Sequence, residues 1–249
     1  MKRFVTHILP ALALAAAIVS LSGCVSLIAD FSAVTGRGDL QSYEIKTGEY
    51  SRIKVDGYCE VRYFASPSDS VTLEVQANLR EYYVVEVVNN ELVLRTTKNV
   101  NFGNDLIPVL TVSAPSLDRV AIEGAGNFTT YDKIEADTFD FIFSGAGESN
   151  AELDVNRLLV DISGAGSIEI SGRADTAVLK FSGAGELEAL PLKTREAEID
   201  ISGIGTVRIS CSEKLTVNAS GMGTVEYKGS PSIDISRGGM VSVKKIDPI

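Results

Sequence analysis

A doubled glycine returns along the second half of the chain. The segments FIFSGAGESNAEL, DISGAGSIEI, KFSGAGELEA, DISGIGTVRI and NASGMGTVEY each set two glycines, after a serine, around one small or apolar residue. The first glycines are Gly124, Gly145, Gly164, Gly183, Gly203 and Gly221; the second are Gly126, Gly147, Gly166, Gly185, Gly205 and Gly223. Arg237, in Ser236-Arg237-Gly238-Gly239, takes the first-glycine slot of a degenerate seventh copy, and the intervals run from 16 to 21 residues. Repetition at such a period marks a stack of similar units, each too small to bury an apolar face alone.

Columns read across the copies define those units. Four positions before the slot lie Val120, Phe141, Val160, Leu179, Ile199, Val217 and Ile233; two before it lie Ile122, Phe143, Ile162, Phe181, Ile201, Ala219 and Ile235. Four after it come Phe128, Ser149, Ile168, Leu187, Val207, Val225 and Val241, with Ser149 the one polar member. Polar neighbours alternate with these columns, so each short strand buries one face and wets the other. The copies are too short for a crossover helix, and a four-stranded propeller blade takes about twice their length. The pattern predicts an all-β protein: a single-stranded parallel β-helix (solenoid) in which each copy is one coil and the columns stack at about 4.8 Å per rung.

Within that frame the glycines are structural corners. Glycine reaches positive φ without steric cost, and the bend is expected to turn Ala125, Ala146, Ala165, Ala184, Ile204 and Met222 inward. The serine column, Ser144, Ser163, Ser182, Ser202 and Ser220, either hydrogen-bonds along itself or is solvated as turn serines commonly are. A dinucleotide fingerprint would need a third glycine and a following helix. Strand-patterned residues follow every copy instead, so no cofactor is expected.

The N-terminus carries a different signal. Lys2 and Arg3 precede an apolar run from Ile8 to Leu21 that closes on Leu21-Ser22-Gly23-Cys24. That order reads as a secretion signal, too short to favour a retained spanning helix. Leu-Ser-Gly-Cys resembles the lipobox of bacterial lipoproteins, which implies cleavage before Cys24 and acylation of that residue; by that family's sorting rule, Val25 in place of Asp favours the outer membrane in a Gram-negative host. Cleavage would remove Lys2, Arg3 and His7, the one histidine, leaving 21 basic against 33 acidic side chains. Such a surface repels phosphate backbones, so nucleic acid is not an expected partner. Catalysis that needs imidazole is excluded from such a mature chain.

The organisation expected is a signal peptide over residues 1–23, a tether over 24–41, an N-terminal β capping region over 42–115, the repeats over 116–243 and a tail over 244–249. In the cap, period-two patterning places strands at Arg52–Val55, Cys59–Phe64, Val71–Gln76, Tyr82–Val88, Leu92–Arg95 and Ile107–Val112, with a tight turn at Asn89-Asn90. No persuasive helical period occurs. Cys59 and Cys211 form an even pair that an oxidising compartment would allow to bridge, although Cys59 also suits a buried thiol in an apolar alternation.

Outward columns are where chemistry would stand. Asp161, Lys180, Asp200, Asn218 and Asp234 fall three positions before the slot; Glu169, Glu188, Arg208 and Glu226 fall five after it. Asp161 and Asp200 would stand about 9.6 Å apart, too far to share one calcium without rearrangement. The solvated reading is favoured over a metal or catalytic row. The lipobox at Cys24, the run from Tyr50 to Val61 and the serial SGAG, SGIG and SGMG corners together resemble the bacterial family called Putative auto-transporter adhesin, head GIN domain, over most of residues 42–243. The resemblance implies an envelope-anchored β-helix and supplies no catalytic residues; the long stalk and membrane barrel of an autotransporter are not expected. The function expected is non-catalytic: adhesion, glycan or protein binding, or envelope architecture, with the membrane reached through the N-terminal lipid. The alternatives are a polysaccharide lyase or hydrolase using Asp161, Asp200 and Asp234, and an envelope-stress sensor or assembly partner.

Overall fold

The computed structural model describes residues 33–97, 100–101 and 106–246. The expected signal peptide and Cys24 lie outside the described residues. The N-terminal strands are β1 (Val34–Thr35), β2 (Leu40–Ile45), β3 (Arg52–Asp56), β4 (Tyr58–Ala65), β5 (Ser70–Gln76), β6 (Tyr83–Val88), β7 (Glu91–Thr96), β8 (Val100–Asn101) and β9 (Val109–Ala114). Then follow β10 (Arg119–Ile122), β11 (Ala125–Thr130), β12 (Ile134–Phe143), β13 (Ala146–Ile162), β14 (Ala165–Phe181), β15 (Ala184–Ile201), β16 (Ile204–Ala219), β17 (Met222–Lys228), β18 (Ser232–Arg237) and β19 (Met240–Lys245). The protein is nearly all β, a parallel solenoid of about 7 turns.

Every repeat pairs with the next in parallel, and the corners stay in register throughout. Ala146, Ala165, Ala184, Ile204, Met222 and Met240 lie over one another, as do Val160, Leu179, Ile199, Val217 and Ile235. The apolar columns fuse into one continuous core from Ile53 to Val241. Phe141 is central to its wide end, with ring centroids 5.9 Å from Phe128 and 6.5 Å from both Phe139 and Phe143. Ser149, the polar exception, is buried above Phe128, and its hydroxyl oxygen accepts the Phe128 N–H at 3.2 Å.

One coil of the solenoid precedes the repeats. Ile53, Val55 and Val61 stack under Val120, Ile122 and Phe128, and Tyr58 under Ala125, so Gly57 occupies the corner slot. β7 and β9 add parallel partners below β3 and β4, and the cap proper is the antiparallel set β6 on β7, β5 on β9 and β2 on β5. The hairpin turn at Asn89 and Asn90 has φ of 52° and 63°, as the paired asparagines predict. One helical element breaks the expectation of none: a 3₁₀ turn at Ala77–Tyr82 that buries Leu79. It also pins residues expected to be tether: Asn78 accepts the Arg37 N–H and donates to the Thr35 carbonyl, while Gln76 donates to the Gly38 carbonyl. Strand structure is therefore already present at Val34–Thr35, within the segment expected to be tether.

The seventh copy is phased two residues later than the sequence suggests. Ala219 pairs with Arg237 and Met222 with Met240, which places Gly239, not Arg237, in the corner slot. Asp234 accordingly lies over Thr216 and leaves the row of Asp161, Lys180, Asp200 and Asn218, which continues into Ser236. A two-residue shift keeps every side chain on its own face, so alternation alone does not detect it. β19 runs to Lys245, and the Ile246 N–H still donates to the Tyr227 carbonyl, inside the expected tail.

Candidate functional site

The corners carry the first surface feature. From the corner of Gly164 onward, two successive N–H groups share a single carbonyl of the coil below: those of Ser163 and Gly164 reach Phe143 at 3.0 and 3.1 Å, and those of Ser182 and Gly183 reach Ile162 at 2.8 and 3.1 Å. This draws the chains together. A Cβ on Gly145, Gly164, Gly183, Gly203 or Gly221 would stand 1.5 to 2.1 Å from the carbonyl oxygen of the glycine below it. Left-handed φ is confined to Gly147, Gly185 and Gly223 among the corner glycines. Close backbone approach, rather than positive φ throughout, is why these positions are glycine.

That geometry also reverses the expected direction of the residue between the glycines. Ala146, Ala165 and Ala184 are exposed, and Ile204, Met222 and Met240 continue the column into solvent at 57, 43 and 75 % exposure. The serines are exposed too; Ser182 and Ser220 donate weakly to carbonyls of the coil below, at 3.4 and 3.5 Å, not to one another. The column thus turns from methyl groups to large apolar side chains at the end farthest from the cap.

Charged columns flank it. Arg208 forms ion pairs with Glu186 and Glu188 on one side and with Glu226 at 2.6 Å on the other, and Lys244 reaches Glu226 at 2.9 Å. Glu188, Arg208, Glu226 and Lys244 therefore alternate in sign along one column, and the two cations hold the Glu226 carboxyl below its ordinary range. Asp200 accepts from Asn218 at 2.7 Å. The acids named as candidates for polysaccharide cleavage do not converge, since Asp161 and Asp200 are separated by the Lys180 rung.

Concavities interrupt the described wall, a small one of about 380 Å³ beside Asp200, Asn218 and Ser236 and two larger ones. One, of about 800 Å³, opens between the cap and the first coils and is lined by Glu49, Tyr50, Asp69, Asn90 and Asp118 among others. The Tyr50 hydroxyl sits 2.8 Å from the Ser113 carbonyl and 3.1 Å from that of Ser70, and burial pushes its pKa up. Among the described residues no three His, Cys, Asp or Glu side chains gather where they could hold a metal. The second, of about 670 Å³, is a notch in the repeat wall. It arises where Ala189 pairs with Ile209 but Lys193 pairs with Ser210, so residues 190–192 of β15 have no partner on β16. Hydroxyls replace the missing ladder: Ser210 donates to the Leu190 carbonyl at 2.7 Å and Thr194 to the Ser210 carbonyl at 2.7 Å. Nothing in a single repeat's pattern signals this step, because it is a mismatch between two repeats.

The two remaining thiols are free and buried. Cys59 belongs to the coil of Gly57 and Cys211 to that of Gly203, five rungs or about 24 Å apart along the axis, far beyond disulfide reach. The possible Cys59–Cys211 bridge is therefore not formed.

A cap of antiparallel strands on a parallel, single-stranded solenoid with glycine corners defines a capped β-solenoid. The family described as Putative auto-transporter adhesin, head GIN domain matches residues 49–231, and the chain belongs to it. Its fold is similar to that of a putative adhesin from Bacteroides fragilis NCTC 9343, with 24% identity, a TM-score of 0.80, and coverage of 86% of this chain and 100% of that one. A putative lipid binding protein from Parabacteroides distasonis ATCC 8503 is similar at 21% identity and a TM-score of 0.71, over 87% of this chain and 100% of that one. A putative adhesin from Parabacteroides merdae ATCC 43184 follows at 21% identity and 0.62, over 86% and 99%. No curated protein matches the chain in sequence.

Proposed function

We propose that the protein is a lipid-anchored, non-catalytic adhesive module of the bacterial cell envelope whose contact surface lies on its last coils. The observation that carries this reading is the polarity of the solenoid. The cap and the first described residues stand at one end, and the exposed column of Ile204, Met222 and Met240 stands at the other. From the coil of Gly57 to that of Gly239 the stack rises about 34 Å. A chain held at Cys24 would present that column away from the membrane. Contiguous exposed apolar surface marks sites of interaction, and relatives of the same fold carry the name adhesin.

The anchor is tested by metabolic labelling with palmitate, which Cys24→Ala should abolish. The contact surface is tested by retention of the purified protein on panels of cell-surface glycans, matrix proteins and envelope extracts. Wild type should retain a partner that Met222→Lys/Met240→Lys loses with its circular dichroism unchanged. Retention of nothing, or retention indifferent to both lysines, would defeat the reading. Consistent glycan turnover abolished by Asp200→Asn would replace it with the polysaccharide-cleaving one.

A further inference from the structure

The notch differs from the rest of the outer wall in its charge. Elsewhere a ladder alternates in sign, as from Glu188 through Arg208 and Glu226 to Lys244. Across the notch, Arg173 pairs in register with Lys193, Lys193 with Ser210, and Ser210 with Lys228, so three cations and a serine form one column. Arg173 is occupied by Asp175 at 2.9 Å, and the neighbouring Arg195 by Glu213 at 2.9 Å. Lys193 and Lys228 have neither an ion-pair nor a hydrogen-bond partner among the described residues. Two rungs apart, their backbones are separated by about 9.6 Å, a span that two lysine side chains close from either side around one anionic group. Like charges along a ladder repel, and here they do so on a chain whose formal net charge is −10.

Beside this column the missing ladder exposes Leu190 and Pro191, with Ala174, Thr194 and Cys211 in the wall of the same notch. The volume exceeds that of a bare phosphate, Leu190, Pro191 and Ala174 give the wall an aliphatic patch beside its charged and hydroxyl groups, and no aromatic ring lines it to stack on a sugar. We propose that the notch binds a small anionic amphiphile, a carboxylate or phosphate monoester on an aliphatic chain, with the head between Lys193 and Lys228 and the chain on Leu190, Pro191 and Ala174. The site is distinct from the apolar column at the corners and stands or falls independently of it.

The test is titration calorimetry on the full chain carrying Cys24→Ser, which removes any acyl group of its own, with dodecyl phosphate and dodecanoate below their micellar concentrations. One saturable site per chain is expected, weakened at least tenfold by Lys193→Glu or Lys228→Glu and unchanged by Lys46→Glu on the exposed cap surface. Bound probe should also slow labelling of the Cys211 thiol in the native protein. Dodecyl maltoside binding equally well would reduce the site to apolar association, and inorganic phosphate binding equally well would reduce it to charge; either overturns the proposal. So would affinity indifferent to both reversals. Vesicles of phosphatidic acid in phosphatidylcholine separate the sources: binding to vesicles without binding of the monomeric probes would assign the lysines to a bilayer surface and overturn the notch as a pocket.

Discussion

The Cα of Gly164 lies against the backbone of Gly145, so that a methyl group placed on it would stand 2.0 Å from the Gly145 carbonyl oxygen. The contact is between main chains, and no side-chain rearrangement relieves it. Gly164→Ala must therefore separate two coils or break the shared hydrogen bonds of the corner. Overpacking of this kind costs about 3 kcal/mol. Gly48, by contrast, has open space around its Cα, and Gly48→Ala should stay within about 0.5 kcal/mol of wild type. Urea midpoints for the two variants check the contrast; equal midpoints would show that the corner is not set by close approach.

Much of this architecture was legible because a solenoid repeats its own evidence. The columns through Val160 and Ile168 each predict a buried stack, and both are buried through Val217 and Val225, whereas Ile233 of the seventh copy is 41% exposed. What escaped detection has specific physical causes. The coil of Gly57 carries Asp56-Gly57-Tyr58-Cys59 in place of the serine and second glycine, and the cap strands inserted after Ala65 remove it from the period. The phase of the last copy is hidden because Ile233, Ile235 and Arg237 share one parity. The outward direction of Ala146 and Met222 depends on the shared-carbonyl corner, which is a relation between coils. The notch depends on a register step between β15 and β16, and the cationic column across it becomes visible once Lys193 and Lys228 are known to flank Ser210.

Arg237 stands in a column that is otherwise apolar, over the buried Ala219. β18 pairs with β16 and β19 with β17, and no register joins either to a further strand among the described residues. A charge in a core column of an otherwise open edge is a device against edge-to-edge association. Arg237→Ile should therefore give concentration-dependent oligomers by sedimentation velocity where wild type does not. A monomer at every concentration for both proteins would assign protection of the edge elsewhere.

Glu226 links the last three rungs through Arg208 and Lys244. Its folded pKa is lowered, chiefly by the Lys244 hydrogen bond and then by that of Arg208. The stabilisation is therefore fully present above the unfolded glutamate value of about 4.3 and is lost as pH falls through the lower folded value. Glu226→Gln should cost about 1 kcal/mol or less at neutral pH, less still in molar salt, and the difference from wild type should vanish in acid. Thermal melts from about pH 3 to about pH 7, which span the glutamate titration, measure it. A gap between the two proteins that widens towards acid would reverse the assigned sign.

Cys59 is buried at zero exposure within the first coil, and burial pushes its thiol pKa far above the ordinary range. A thiol that is neither ionised nor reachable does not attack disulfide reagents. Native protein should leave Cys59 unmodified by an aromatic disulfide reagent, while Cys211, in the wall of the notch, reacts slowly. In urea both should react at the rate of free thiols. Because neither is bridged, melting temperature should be the same with and without reductant. A drop on reduction would require a cross-link that the five-rung separation of Cys59 and Cys211 forbids within one chain, and would point to a bridge between chains instead.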